Sequence, residues 1–402
     1  MRESRSFAPE GFRGARQADG PLCAGRPYVD QDDVDAVGQV LLGGTLTQGP
    51  VVARFEAALG QATGAPHAVA VSSGCAALHL AYPALGVGPG RNVLASANAF
   101  AGTASAAQMC GGEVEFLDID PRTGNLDLRR LEQRLEHGPL PHVVTATHFA
   151  GLPCDMEWLL SLKRRHDFLL VEDGAQALGA RYRVEGRWYR PGEHPEIEAT
   201  TLSFHAEGQI TTGEGGAVLT HDGARAAQLR RLRAHGADLD AGPAPLAAPL
   251  VELGFEARLT EFQAALGLSQ LQKLPDFLEA RREVALRYLA ELRGYGLPHP
   301  GGYDESADRE HAWHLFVIRC EPEERDELAH FLRERGIQAR VHFPALPLEP
   351  WFRGRTGGSL FPEASAHARS ALSLPLCPSL SDAEQGRVLA ALADWRRARA
   401  SA

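Results

Sequence analysis

Short apolar runs recur between amphipathic stretches from about residue 27 onward, at Ala68-Val69-Ala70-Val71, Val114-Glu115-Phe116-Leu117, Val143-Val144-Thr145-Ala146, Phe168-Leu169-Leu170-Val171 and Ala217-Val218-Leu219-Thr220. Strands this short and apolar are covered on both faces, which requires helices above and below a mostly parallel sheet. The pattern predicts an α/β architecture. A Gly/Ala/Pro-rich segment from Ala237 to Pro249 interrupts it, and a helix-compatible run from Leu259 to about Leu292 follows. A domain boundary is expected there, with a large domain over 21–250 and a small α+β domain over 251–402. In the small domain, His314-Leu315-Phe316-Val317-Ile318 and Ala339-Arg340-Val341-His342-Phe343 read as strands around a helix, and a last helix is expected near Asp382 to Ala400.

Composition narrows the partners. With 402 residues, 44% of them hydrophobic, the chain can bury a substantial core. A net charge of -10 offers no basic field for a nucleic acid, and no run of about 18 apolar residues could span a bilayer. Six cysteines stand without CxxC pairs or histidine-rich spacing, so no metal site or disulfide framework is expected, and a reducing cytoplasm is the simplest location. The first 20 residues lack an apolar segment and read as a disordered leader.

Three segments carry candidate chemistry. Val71-Ser72-Ser73-Gly74-Cys75-Ala76-Ala77-Leu78 is a strand, a small-residue turn and a helix start, where free N–H groups and the helix dipole suit a phosphate. Many α/β proteins place small residues at such a turn, so this signal is weak by itself. Val171-Glu172-Asp173-Gly174-Ala175-Gln176 puts a carboxylate at the end of a buried strand, where a helix cap or an ion pair is the ordinary role. Phe100, within Ala97-Asn98-Ala99-Phe100-Ala101-Gly102-Thr103, could equally be a core aromatic.

The run Ser203-Phe204-His205-Ala206-Glu207-Gly208-Gln209-Ile210-Thr211-Thr212-Gly213-Glu214-Gly215-Gly216 resembles the signature S-F-H-x-x-K-x-x-x-x-G-E-G-G of the DegT/DnrJ/StrS sugar aminotransferases. Further matches at Gly44 to Pro50, Thr147 to Met156, Arg233 to Gly236, Gly254 to Gly267 and Leu374 to Leu380 follow the family's order over roughly residues 27 to 395. The resemblance implies a fold-type-I PLP-transferase-like protein, with a mostly parallel seven-stranded sheet and a small C-terminal domain. It implies a homodimer, a pyridoxal 5'-phosphate (PLP) or pyridoxamine phosphate (PMP) cofactor, and a keto or amino sugar nucleotide as substrate. By the family's pattern, Gly74, Cys75, Ala76 and Ser203 lie toward the cofactor phosphate. Asp173 meets the pyridine nitrogen, Gln176 the ring hydroxyl side and Phe100 the ring face.

Three positions depart from the pattern. Gly208 stands where the family has its Schiff-base lysine, Cys75 where it has a phosphate-binding threonine, and Glu256 where its asparagine reaches the partner chain's cofactor phosphate. The chain has only two lysines, Lys163 and Lys273, both in charged helix-like stretches that suggest a solvated surface role. Ordinary transamination is therefore not expected, since that amine both holds the cofactor and moves the proton. The first expectation is a PMP- or PLP-dependent enzyme binding its cofactor noncovalently, with His205, Glu207 or Gln209 as the base. His205 is favoured for its near-neutral pKa. The alternatives are an inactive scaffold, or a heterodimer partner completing an active paralogue's site, and an old pocket turned to chemistry without the cofactor. In this sequence-based view, replacing Gly208 by lysine would restore the amine.

Overall fold

The computed structural model describes residues 21–23, 25–238, 248–292, 307–342, 344–355 and 360–400. The leader expected over residues 1–20 and most of the Gly/Ala/Pro-rich segment lie outside them. The strands are β1 His67–Val71, β2 Asn92–Ser96, β3 Glu113–Leu117, β4 Val143–Thr147, β5 Leu169–Asp173, β6 Arg181–Val184, β7 Arg187–Tyr189, β8 Ala199–Ser203, β9 Gly216–Thr220, β10 Arg309–Glu310, β11 Phe316–Arg319 and β12 Ala371–Leu374. Seven of them form one sheet in the order β1-β9-β8-β5-β4-β2-β3, parallel except where β9 runs against β1 and β8. All five predicted apolar runs are in it.

The helices are α1 Gln31–Gly43, α2 Pro50–Thr63, α3 Gly74–Ala84, α4 Ala101–Met109, α5 Leu128–His137, α6 Met156–His166, α7 Gly223–Leu232, α8 Glu261–Gln272, α9 Leu274–Leu292, α10 Arg325–Glu334, α11 Pro362–Ser370 and α12 Asp382–Ala400. Side chains alternate across each strand, so Val69 and Val71 pack toward α3 and α7 while Ala68 and Ala70 pack toward α2 and α8. On β5 the same alternation sends Leu170 toward α5 and α6, and Val171 toward α3 and α4. It therefore aims Glu172 and Asp173 at opposite faces of one strand.

Two expectations change. The run from Leu259 to Leu292 is two helices that break at Lys273, because Pro275 has no N–H to continue the first helix's ladder. Helix α8 packs on α1 and α2, and Leu259, Ala264, Leu271 and Phe277 belong to the core around Phe55 and Leu202. The core of the sheet lobe thus extends beyond residue 250. Ala339 to Phe343 does not form a regular strand in its described residues: Arg340 exchanges one pair of backbone hydrogen bonds with Ser373, at 3.0 and 2.8 Å. Pro344, with no N–H, ends any further pairing. A second core gathers α9, α10, α12, β11 and β12 around Tyr288, Phe316, Leu332 and Leu392.

Candidate active site at the carboxyl edge of the sheet

Asp173 ends β5 in the middle of the sheet, and its register neighbours are Thr147 on β4 and Thr201 on β8. Both hydroxyls donate to its carboxylate, at 3.3 and 3.4 Å. Thr103 of α4 donates at 3.2 Å and the Ala175 N–H at 3.2 Å. The side chain is buried, and among the described residues it forms no ion pair. Burial raises its pKa, only partly offset by these donors. A buried anion with hydrogen-bond donors but no cation is a site shaped for a ligand's positive N–H.

Helix α3 starts beside this carboxylate. Ser73 caps it by accepting from the Ala76 N–H at 3.0 Å, and a Cβ on Gly74 would stand 2.8 Å from the Ser203 Cβ, so Gly74 and Ser203 are brought together by close packing. A Cβ on Gly102 would lie 2.8 Å from the Cys75 sulfur and 3.2 Å from the Phe100 ring, so these three also share one corner. Phe100 is 44% exposed, unlike a core aromatic. Gln176 accepts the Ala150 N–H at 2.6 Å through Oε1, which orients its amide.

Behind β5, on the other face, Glu172 is fully buried and accepts from His148 Nε2 at 2.9 Å, the Gly192 N–H at 2.8 Å and the Thr200 hydroxyl at 2.7 Å. Burial pulls the His148 pKa down, but Cys154 and Glu172 pull it up and the upward pull prevails. A second ring proton would nevertheless sit on Nδ1, which already accepts the Cys154 N–H at 3.1 Å. The geometry therefore keeps His148 a neutral Nε2–H donor to the Glu172 side chain. The His148 N–H in turn donates to the Asp173 main-chain oxygen at 3.1 Å, so this buried network fixes the strand end that carries Asp173.

The loop after β8 carries His205, Glu207, Gly208 and Gln209 to different places. His205 is 54% exposed, with Nε2 3.8 Å from Glu214 and Nδ1 accepting a long 3.4 Å bond from the Glu207 N–H. Glu207 is held by a bidentate ion pair with Arg340 of the small lobe, a cation that ties up the carboxylate. Gly208 turns its main-chain oxygen to Arg281, which donates at 2.9 Å. That guanidinium is buried against the carbonyl oxygens of Glu207, Gly208, Trp313, His314 and Leu376 with no carboxylate paired to it among the described residues, and burial lowers its pKa to about 10. A Cβ on Gly208 would stand 2.7 Å from the Ile210 oxygen and 3.1 Å from the His205 oxygen. The loop is therefore folded around the absence of a side chain at 208. Gln209 points inward and is buried.

Neither lysine is solvated as expected. Lys163 pairs with Glu198 at 2.9 Å and Lys273 bridges Asp30 and Asp33, each with most of its side chain buried, and each is committed to a carboxylate outside this site. Glu256 has a side chain 75% exposed and 4.0 Å from His235, outside the Asp173 cluster in this chain. Sequence reasoning did not single out Thr103, Thr147, Thr201, Arg281 or Arg340. The three threonines were within quoted segments or at strand ends, where a hydroxyl beside an acid was the available signal.

The model of the DegT/DnrJ/EryC1/StrS aminotransferase family matches residues 27–393. Among solved structures, the chain is similar to DesV of S. venezuelae in complex with ketimine intermediate, at 34% identity and TM-score 0.82, covering 90% of this chain and 94% of that one. It is similar to Helicobacter pylori PseC, an aminotransferase involved in the biosynthesis of pseudoaminic acid, at 26% identity and TM-score 0.87, covering 94% and 100%. Spr1654 from Streptococcus pneumoniae in its PMP form matches at 25% identity and TM-score 0.84, covering 93% and 98%. The matched span, with the seven-stranded sheet and the acid at its central strand end, leads to one conclusion: the chain belongs to the DegT/DnrJ/EryC1/StrS aminotransferase family.

Proposed function

We propose that the protein binds PMP or PLP without a covalent bond to its own chain and acts on a keto or amino sugar nucleotide. The observation that carries this reading is Asp173, a buried carboxylate with four donors and, among the described residues, no cation paired to it. A protonated pyridine nitrogen is the complement such an acid lacks, and the residues fit the group. Asp173 holds the ring proton, Phe100 covers the ring face, and the α3 start from Gly74 to Ala76, with Ser203, receives the phosphate. When bound, the cofactor supplies a ring that withdraws electrons from the carbon bearing its amine.

The remaining work falls to this chain's side chains. Glu207 is neutralised by Arg340, which leaves His205 as the base we assign. Its Nε2 lies 3.8 Å from Glu214, too far for a hydrogen bond, and the long bond at Nδ1 is readily given up to take a proton from a substrate carbon. Glu256 would oppose the partner chain's cofactor phosphate if it reached across as the family's asparagine does, since a carboxylate facing a phosphate is repulsive. We also read the protein as a homodimer, because Leu250, Val251, Leu253 and Phe255 are exposed around Glu256. Light scattering at micromolar concentration should give twice the chain mass; a monomer would remove this part of the reading.

Titration calorimetry tests the cofactor reading. The parent should bind PMP saturably, and Asp173→Asn should weaken binding by about tenfold to a hundredfold, the range for a hydrogen bond between charged groups. No saturable binding of PMP or PLP by the parent would refute it.

A further inference from the structure

His367 of α11 is a buried titratable side chain that the candidate site leaves unused. It is 1% exposed, and both ring nitrogens are enclosed without a hydrogen-bond partner among the described residues. Its ring stands edge-on to Phe149, with centroids 5.3 Å apart and planes at 83°, so it packs where the small lobe meets the sheet lobe. Leu315, Val317 and Ala371 of the small lobe share one apolar cluster with Phe149. A proton on this ring would add a second N–H donor to an enclosure that offers no acceptor for the first.

The charges around the ring are cations, or acids already in use. Arg319 of β11 faces it, held by the Ser370 hydroxyl and the Pro121 oxygen, each at 3.2 Å. His342 faces it from the segment before Pro344, with Nδ1 2.7 Å from the Ser373 hydroxyl. Arg325 of α10 donates to the oxygen of the adjacent Ala368 at 2.9 Å. From the Phe149 turn the titratable neighbour is His148, bonded to Glu172. Asp118 accepts the Glu363 and Ala364 N–H groups at 3.0 and 2.8 Å and so caps the start of α11, and Glu363 lies one turn earlier on that helix. Burial, then Arg319 and His342, push the ring's pKa down from 6.5 to about 4. An opened ring therefore takes a proton that the packed ring refuses, so the packing is intact above pH 6.5 and weakens as the pH falls toward about 4.

We propose that His367 makes the seat of α11 on Phe149 acid-sensitive: protonation drives the ring out of its enclosure, and the turn from His148 to Gly151 loosens with it. That turn supports the candidate site. The His148 N–H donates to the Asp173 main-chain oxygen and the Ala150 N–H to Gln176 Oε1. Mild acid thus loosens the supports of Asp173 and Gln176 together, whatever group the site holds.

Hydrogen exchange at about pH 7.5 and about pH 5 tests this in the parent, His367→Leu and His367→Met. Both variants keep bulk and cannot take a proton, and a thermal melt identifies those that fold. Comparison at equal pH cancels the intrinsic exchange rate. For peptides spanning residues 148–152, protection in the parent relative to a folded variant should fall about thirtyfold between the two pH values, the ratio set by a pKa of about 4 when packed and 6.5 when open. An unchanged ratio, as when an enclosed water molecule satisfies the ring in either charge state, overturns the inference. If neither variant folds, the parent decides alone. After correction for intrinsic rates, a loss of protection of about thirtyfold in this turn supports the inference and unchanged protection overturns it.

Discussion

Glu172→Ala should destabilise the protein by about 3–5 kcal/mol, because it strips the partner from three buried donors at once. His148 Nε2–H, the Gly192 N–H and the Thr200 hydroxyl all point at that carboxylate, and among the described residues each makes its one hydrogen bond there. Each unmet buried donor costs about 1–3 kcal/mol, and some water entry into the space left by the side chain reduces the total. Glu172→Gln should be milder, since one amide oxygen can still accept while its NH2 group faces a donor. Urea unfolding of the two variants against the parent measures this. A loss below about 1 kcal/mol for Glu172→Ala would mean the network is not closed as described.

Gly208→Lys should not give the chain a covalently held cofactor, although the family pattern suggests it would. The new Cβ would meet the Ile210 and His205 carbonyl oxygens, and main-chain atoms do not yield as the tip of a flexible side chain does. Arg281 holds the Gly208 oxygen, and the ion pair between Glu207 and Arg340 fastens the residue before it. The turn cannot swing out without breaking both. The expected cost is about 1–3 kcal/mol, the usual range for overpacking. Gly208→Ala should show most of it, because the conflict arises at the first side-chain atom. A Gly208→Lys protein as stable as the parent, with PLP attached to the new amine, would contradict this description of the loop.

The sheet was legible in the sequence because buried parallel strands are uninterrupted apolar runs, as in Val143 to Ala146 and Phe168 to Val171. The position of Asp173 was legible because a carboxylate ends such a run. What the sequence did not disclose was non-local. The threonines around Asp173 come from β4, β8 and α4, and no spacing along the chain announces that registry. The partners of Glu207 and Gly208 are Arg340 and Arg281, far away in sequence and brought together only when the small lobe packs on the sheet lobe. The break at Lys273 was foreshadowed by Pro275, two residues later. The lysines read as solvated because charged neighbours surround them in sequence, whereas in the fold each has a carboxylate partner that keeps it mostly buried.

The central claim is that this chain uses its cofactor without a covalent link, and borohydride reduction of the parent protein saturated with PLP tests it most directly. After reduction and removal of small molecules, the intact mass should equal that of the untreated chain, and peptides spanning residues 203–216 should carry no pyridoxyl group. A stable pyridoxyl adduct on Lys163, Lys273 or any other residue at one equivalent per chain would contradict the account.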